Sequence, residues 1–213
     1  MKILQANKFY YYRGGAEKVF FDTIFGLREK GNDVEEFSMN HLQNLPSAYS
    51  KYFINEINLT DSKNNWHDFK HLFNSKEVEK NLTLLIKEKG KPEIAHFHNV
   101  YHQLSASIFK SLHRKKVPIV LTVHDVQPMC PNHRMVRENH LCERCFQHKY
   151  FQCVLGKCVE GSLAKSFVAM TEAYYFWLKG IYKMVDVFIT PSKIFKDKMV
   201  AWGFPEYKIK VVR

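Results

Sequence analysis

Ile119-Val120-Leu121-Thr122-Val123 is an uncharged, almost wholly apolar run that ends on His124-Asp125. A strand with one face in water alternates polar and apolar side chains, whereas a strand covered on both faces, as in a parallel sheet, does not. Upstream, Glu93-Ile94-Ala95-His96-Phe97-His98 reads as a second such strand, and a helix at about Leu104 to Arg114 joins the two. The same rhythm extends toward the N-terminus. Lys2-Ile3-Leu4-Gln5-Ala6 reads as a strand, and Gly14-Gly15 opens a helix near Ala16 to Lys30 with Val19, Phe20, Thr23, Ile24 and Leu27 on its inner face. Gly31-Asn32 stops that helix before a strand at Asp33 to Ser38; a helix at Ser75 to Lys89 turns Val78, Leu82, Leu85 and Ile86 inward until Gly90-Lys91-Pro92 breaks it. Toward the C-terminus follow a long helix at Ser162 to Lys183, a strand at Val185 to Thr190, a helix opened by Pro191-Ser192 with Ser192 as N-cap, and a strand at Ile209 to Val212. Strands alternating with helices predict an α/β fold, a parallel sheet flanked by helices. Two stretches stand outside the pattern: residues 39–65, which show no clear period, and the cysteine-rich segment at about 127–160, which reads as an insertion.

The 213 residues are 46% hydrophobic and 15% aromatic, which excludes disorder and suits one domain with at most a small appendage. No run of about 18 uncharged apolar residues occurs, and Met1 to Lys8 lacks a signal-peptide core, so the expected location is the cytoplasm. Residues 1–99 carry 14 basic and 13 acidic side chains, residues 100–213 carry 18 and 8, so nearly all of the net charge of +11 belongs to the second half. Such an excess fits an anionic partner: phosphates, nucleic acid or an acidic membrane surface. No nucleic-acid recognition motif accompanies it, and nucleic acid is not expected.

Open parallel sheets bind ligands beyond the carboxyl ends of their strands. Gly14-Gly15, His98-Asn99 and His124-Asp125 each follow a strand and should therefore line one cleft. Two glycines at a helix N-terminus favour a phosphate through free N–H groups and close approach, although a tight strand-to-helix turn would use them equally well. They match neither GxGxxG nor GxxxxGK[ST]. His124 at a strand end can bond a sugar or phosphate oxygen, or merely cap the strand. His96 and His98 share one strand face, as metal ligands would, but no carboxylate-rich set joins them and polar contacts near the core are the expected fate of His96. Cys142-x2-Cys145 and Cys153-x4-Cys158 have the spacing of two halves of a four-thiolate zinc knuckle. Cys130 is then spare or replaces one of the four, His133, His140 and His148 are further options, and the alternative is a set of reduced structural thiols. The helix at Ser162 to Lys183 has its polar residues mainly at Lys165, Glu172 and Lys179 and is apolar around most of its circumference, so it is either a core helix or a surface that meets a membrane.

With these residues in place, the chain resembles the N-terminal domain of the glycosyltransferase family four enzymes, retaining transferases of GT-B architecture. The resemblance rests on Lys2-Ile3-Leu4, Arg13-Gly14-Gly15-Ala16-Glu17, Glu93 to Asn99, Val120 to Asp125 and Asp186-Val187-Phe188-Ile189-Thr190-Pro191-Ser192, in that order along nearly the whole chain. The stretch from Cys130-Pro131-Asn132 to Cys158 is similar to an elaboration in members associated with bacterial surface polysaccharides. The resemblance implies transfer of a sugar from a nucleotide-diphosphate sugar to a glycan or lipid-linked acceptor, with anomeric configuration retained, by front-face attack assisted by the leaving phosphate. It assigns Gly14 and Gly15 to the donor diphosphate, His124 to the donor sugar as catalytic residue, and His98, Asn99 and Asp125 to the acceptor cleft. It implies no catalytic cofactor; the cysteine spacing makes a structural zinc on Cys142, Cys145, Cys153 and Cys158 the one metal expected, and the basic second half with the helix at Ser162 to Lys183 fits a peripheral place on the inner membrane face. In the family a second Rossmann-like, nucleotide-binding domain follows the strand at Ile209. The expectation is that residues 1–213 are the acceptor-side domain, excised or truncated, with that second domain absent. A non-catalytic, zinc-bearing module binding an anionic partner is the competing expectation.

Overall fold

The computed structural model describes residues 1–57 and 66–212, and of residues 66–69 the backbone alone. Eight strands and seven α-helices are described. They are β1 (Lys2–Ala6), α1 (Gly15–Glu29), β2 (Asp33–Phe37), α2 (Trp66–Phe73), α3 (Lys76–Lys89), β3 (Ile94–Phe97), α4 (Ser105–Arg114) and β4 (Ile119–Thr122), then β5 (Val136–Arg137), β6 (His140–Leu141), α5 (Phe151–Leu155), α6 (Leu163–Leu178), β7 (Val187–Thr190), α7 (Lys193–Ala201) and β8 (Ile209–Val211). Six strands form one sheet in the order β2-β1-β3-β4-β7-β8, and β5 pairs with β6 in a separate antiparallel ribbon. The pairs β1·β2, β1·β3, β3·β4 and β7·β8 are all parallel, as the α/β reading requires.

The chain divides into two compact units: Met1–Thr122 with Met184–Val187, and Val123–Lys183 with Phe188–Arg213. In the first unit β1 lies between β2 and β3, with Ile3 opposite both Val34 and Ile94, and Gln5 opposite His96, which in turn faces Val120. α1 buries Glu17, Phe20, Phe21 and Ile24. This face is rotated from the expected one, and Val19 stands exposed. Phe21 draws the helix round, because its ring meets Tyr10 at 5.1 Å and Tyr12 at 4.8 Å. The cluster of Tyr10, Phe20, Phe21, Ile24, Val34 and Phe53 removes large apolar side chains from water, each worth about 2 kcal/mol. Gly31 ends the helix at φ 77°, a conformation that costs glycine nothing. α3 starts at Ser75, whose hydroxyl accepts from Val78 N at 3.2 Å, a cap worth about 1 kcal/mol. In the segment 39–65, Met39 bridges to Ile54 and residues 50–52 form a 3-10 turn; positions 58–65 lie outside the described residues.

The second unit has less regular structure before α6. Among the described residues, eight of the eleven non-glycine residues with positive φ fall between His133 and Glu160. α6 is capped by Ser162, which accepts from Lys165 N at 3.3 Å, and it stops at Leu178, five residues short of the expected end. Gly180, at φ 60°, is the cause: its N–H turns back to Trp177 O and a 3-10 turn over Ile181–Met184 follows. Glu172, read as part of a polar stripe, is buried with Ser166, Ala173 and Phe176. Ser192 caps α7 as expected, accepting from Phe195 N at 3.2 Å.

Candidate functional site

Parallel pairing of β1, β3 and β4 brings their carboxyl ends to one edge of the first unit. At that edge Asn7, one residue past β1, is the organising side chain. Its Oδ1 accepts from Asn99 N at 3.0 Å, and its Nδ2 donates to Phe9 O at 2.8 Å and reaches Glu17 Oε1 at 3.4 Å. Lys8 N donates to Asn99 O at 2.8 Å and His98 N to Ala6 O at 2.9 Å. One buried amide thereby ties the ends of β1 and β3 to the first turn of α1. Neither Asn7 nor Glu17 was singled out in the sequence. The available signal was an asparagine directly after each of two buried strands, at Asn7 and Asn99.

Gly14 is the N-cap of α1, with extended backbone (φ −167°) and no side-chain cap for the free amides. Both glycines are exposed. A Cβ on Gly15 would meet nothing within 4 Å, and one on Gly14 would meet only Glu17 Oε2 at 3.7 Å. Neither packing nor backbone conformation calls for glycine at these positions. What remains is approach from outside, to a helix end whose N–H groups favour anions. Glu17 shares the helix terminus but is turned inward to Asn7. Arg13 holds its guanidinium 4.6 Å from the centre of the Phe9 ring, next to the loop.

His98 is expected, with Asn99, to face the acceptor cleft. Its ring is wholly buried, edge-on to Phe20 at 5.4 Å and beside His96 at 4.4 Å. It supports the edge from below. His96 Nδ1 accepts from Gln5 Nε2 at 3.2 Å and its Nε2–H donates to Thr122 Oγ1 at 2.7 Å, so both ring nitrogens are committed to the protein. Asn99 is different: its Oδ1 is buried and has no hydrogen-bond partner among the described residues. A buried acceptor left open costs about 1–3 kcal/mol, which a hydroxyl donor from a ligand would recover.

His124 and Asp125 follow β4 and open the second unit, each partly exposed. Asp125 accepts from Gln127 N at 2.9 Å and stands 3.6 Å from His133 Nδ1. In the same unit all five cysteines line one small cavity with Asn132, Met135, Arg137, Arg144 and Gln152. Contact with Cys145 holds the Cys130 thiol down at about 6, whereas burial pushes the Cys153 thiol up to about 12. Cys145 is raised by donating to Cys130 and by burial. Among the described residues no group of three or more His, Cys, Asp or Glu side chains could hold a metal ion. A further cavity of about 230 Å³ in the first unit is walled by Tyr10, Phe21, Phe25 and Tyr49.

The family that matches is Glycosyltransferase Family 4, over residues 13–213. Comparison with curated proteins finds no match. Among solved structures, UDP-N-acetylglucosamine 2-epimerase from Rickettsia bellii is 13% identical with a TM-score of 0.50, covering 99% of this chain and 44% of its own. UDP-GlcNAc 2-epimerase from Neisseria meningitidis, bound to UDP-GlcNAc, is 10% identical with a TM-score of 0.51, covering 99% of this chain and 45% of its own. The chain thus spans less than half the length of these structures, and the likeness is one of GT-B-like fold.

Proposed function

The chain belongs to Glycosyltransferase Family 4, and from that we propose that it is the acceptor-side half of an enzyme that moves a sugar from a nucleotide-diphosphate sugar to a glycan or lipid-linked acceptor, with retained configuration, in surface-polysaccharide assembly. The observation that carries this reading is the glycine pair. Gly14 and Gly15 are exposed at a helix N-terminus, free of any internal demand for glycine, as an approach path for a diphosphate requires. The UDP-GlcNAc held by one structural neighbour favours a nucleotide sugar as donor.

In the transfer step the bond from the anomeric carbon to the phosphate oxygen breaks as a bond to the acceptor oxygen forms on the same face. The acceptor hydroxyl proton passes to the departing phosphate, so no protein nucleophile is needed. In the first unit Asn99 Oδ1 accepts a hydrogen bond from an acceptor hydroxyl; in the second, His124 bonds the donor sugar, next to Asp125, which is held by Gln127 N. His98 acts only by fixing the edge. The second lobe supplies the remaining wall of the donor site, and this chain by itself transfers no sugar.

Gly15→Ala tests the reading. The added methyl has room and favours helix by up to about 1 kcal/mol, so melting temperature should hold or rise, while transfer by the two-lobed enzyme falls about 100-fold, as should His124→Ala. Unchanged turnover in both variants would remove both positions from the reaction.

A further inference from the structure

The cavity of about 230 Å³ in the first unit is lined by none of the residues placed at the strand edge. α1 supplies Phe21, Phe25 and Arg28 to it, β2 supplies Glu36, and residues 45–49 close it. That segment is tied down: Leu45 N donates to Tyr10 O at 2.9 Å, and Tyr49 N donates to Ser47 Oγ at 3.0 Å. The walls are aromatic. Phe21 meets Tyr10 edge-on at 5.1 Å and lies nearly parallel to Phe25 at 6.4 Å, and Phe25 is half exposed. One end is polar. The buried Glu36 accepts from Arg28 Nη2 on Oε1 at 2.6 Å and from the Ser47 hydroxyl on Oε2. Arg28 Nη2 also donates to Val34 O at 3.0 Å. These bonds fill about two of the roughly four acceptor positions of the carboxylate, and they leave the guanidinium its Nε and Nη1 donors.

Apolar walls with a few convergent polar groups are the make-up of a small-molecule site, and the volume falls below the roughly 300 Å³ at which drug-sized pockets begin. It suits one six-membered ring with its substituents. The polar end selects the kind of ring. Arg28 and Glu36 cancel in charge, so an ionic head group finds no net counter-charge and has to compete with a pair already made. A flat aromatic ligand matches the walls and leaves the polar end unanswered. A neutral polyol meets both demands: its hydroxyls donate to the carboxylate and accept from the guanidinium, and the C–H face of a pyranose packs on the negative face of an aromatic ring. We propose that this cavity binds one neutral pyranose unit, packed against Phe21 and Phe25 with its hydroxyls on Glu36 and Arg28. Ten residues of helix, about 15 Å, separate Phe25 from Gly15, so the sugar held here is not the one transferred. Its further assignment rests on the proposed function: it is a distal residue of the acceptor glycan.

The test is a titration of the isotope-labelled chain with the methyl glycosides of glucose, galactose, mannose and N-acetylglucosamine, with glucuronate and p-cresol as the charged and the aromatic control. At least one neutral glycoside should bind in the millimolar range and shift the amides of Phe25, Arg28, Ser47 and Tyr49. Phe25→Ala should weaken that binding about fivefold or more, and Phe25→Trp should hold it within about twofold of wild type. Because Phe25 is half exposed, both variants should melt close to wild type. No shift at these four residues with any neutral glycoside at about 100 mM, far above the expected dissociation constant, would overturn the proposal. So would tighter binding of glucuronate or p-cresol at the same residues, or unchanged affinity in Phe25→Ala. The result is separable from transfer: a neutral sugar bound here by a two-lobed enzyme that transfers nothing would keep the site and remove only its assignment to the acceptor.

Discussion

Glu35 sits in β2 with its carboxylate almost out of contact with water, and the nearest cation, Lys2 Nζ, is 3.5 Å away. Burial raises its pKa above the ordinary 4.5, outweighing the pull of Lys2. The folded chain therefore keeps this proton to higher pH than the unfolded chain does. In the window just above 4.5 the native state binds more protons, so stability falls as pH rises through that window. Glu35→Gln keeps the shape and removes the charge, while Lys2 Nζ retains Lys89 O as a partner. Thermal melting should show the variant more stable by a few degrees at pH 7 and equal to wild type at pH 4 and below. A lower melting temperature at pH 7 would mean that the Lys2 ion pair outweighs burial. The same scale explains what the sequence hid about the site. Gly14-Gly15 is visible as a motif, but that no neighbour demands glycine there is a fact of packing. The roles of Asn7 and the open Oδ1 of Asn99 depend on β1 and β3 being neighbours, which no local pattern encodes. His98 looked like its neighbour Asn99 in sequence; a single step along the strand end puts one ring in the core and leaves the other side chain at the edge.

Among the elements, β3 and β4 were legible because a strand covered on both faces carries its burial in its composition. α6 was legible only in part. Its apolar circumference concealed where the core face lies, and Gly180, the stop signal, follows a run of aromatics that reads as unbroken helix. α2 was missed because it adjoins a stretch without a period. α6 leaves Leu163, Phe167, Trp177 and Leu178 exposed, and α5 adds Phe151 and Leu155. No helix among the described residues is long and apolar enough to cross a membrane. The second unit holds 14 basic and 7 acidic residues, so its exposed apolar side chains lie in a cationic setting, a combination that suits the headgroup layer of an acidic bilayer. Sedimentation should show binding to vesicles containing anionic lipid that weakens several-fold as salt shortens the screening length below about 8 Å. Phe167→Glu with Leu178→Glu should abolish it. Equal, negligible binding to neutral and acidic vesicles would leave these residues for a protein partner.

At the scale of the molecule, the parallel α/β sheet and the family follow from motifs spread over nearly the whole chain, and the spacing of the cysteines already suggested that they gather, whereas the strand order and the division into two units were not legible, because both arise from contacts between residues distant in sequence. On the proposed function, this chain offers one wall of a nucleotide-sugar site. A diphosphate resting on one wall stays largely in water, and each hydrogen bond to it adds little over what solvent gives. Titrating the isotope-labelled chain with a UDP-sugar, followed by amide chemical shifts in two-dimensional NMR, measures affinity and location together. The account predicts binding no tighter than about 1 mM, some 4 kcal/mol, with shifts centred on Gly14, Gly15 and His124. Micromolar affinity, or shifts that leave those three residues unmoved, would contradict it.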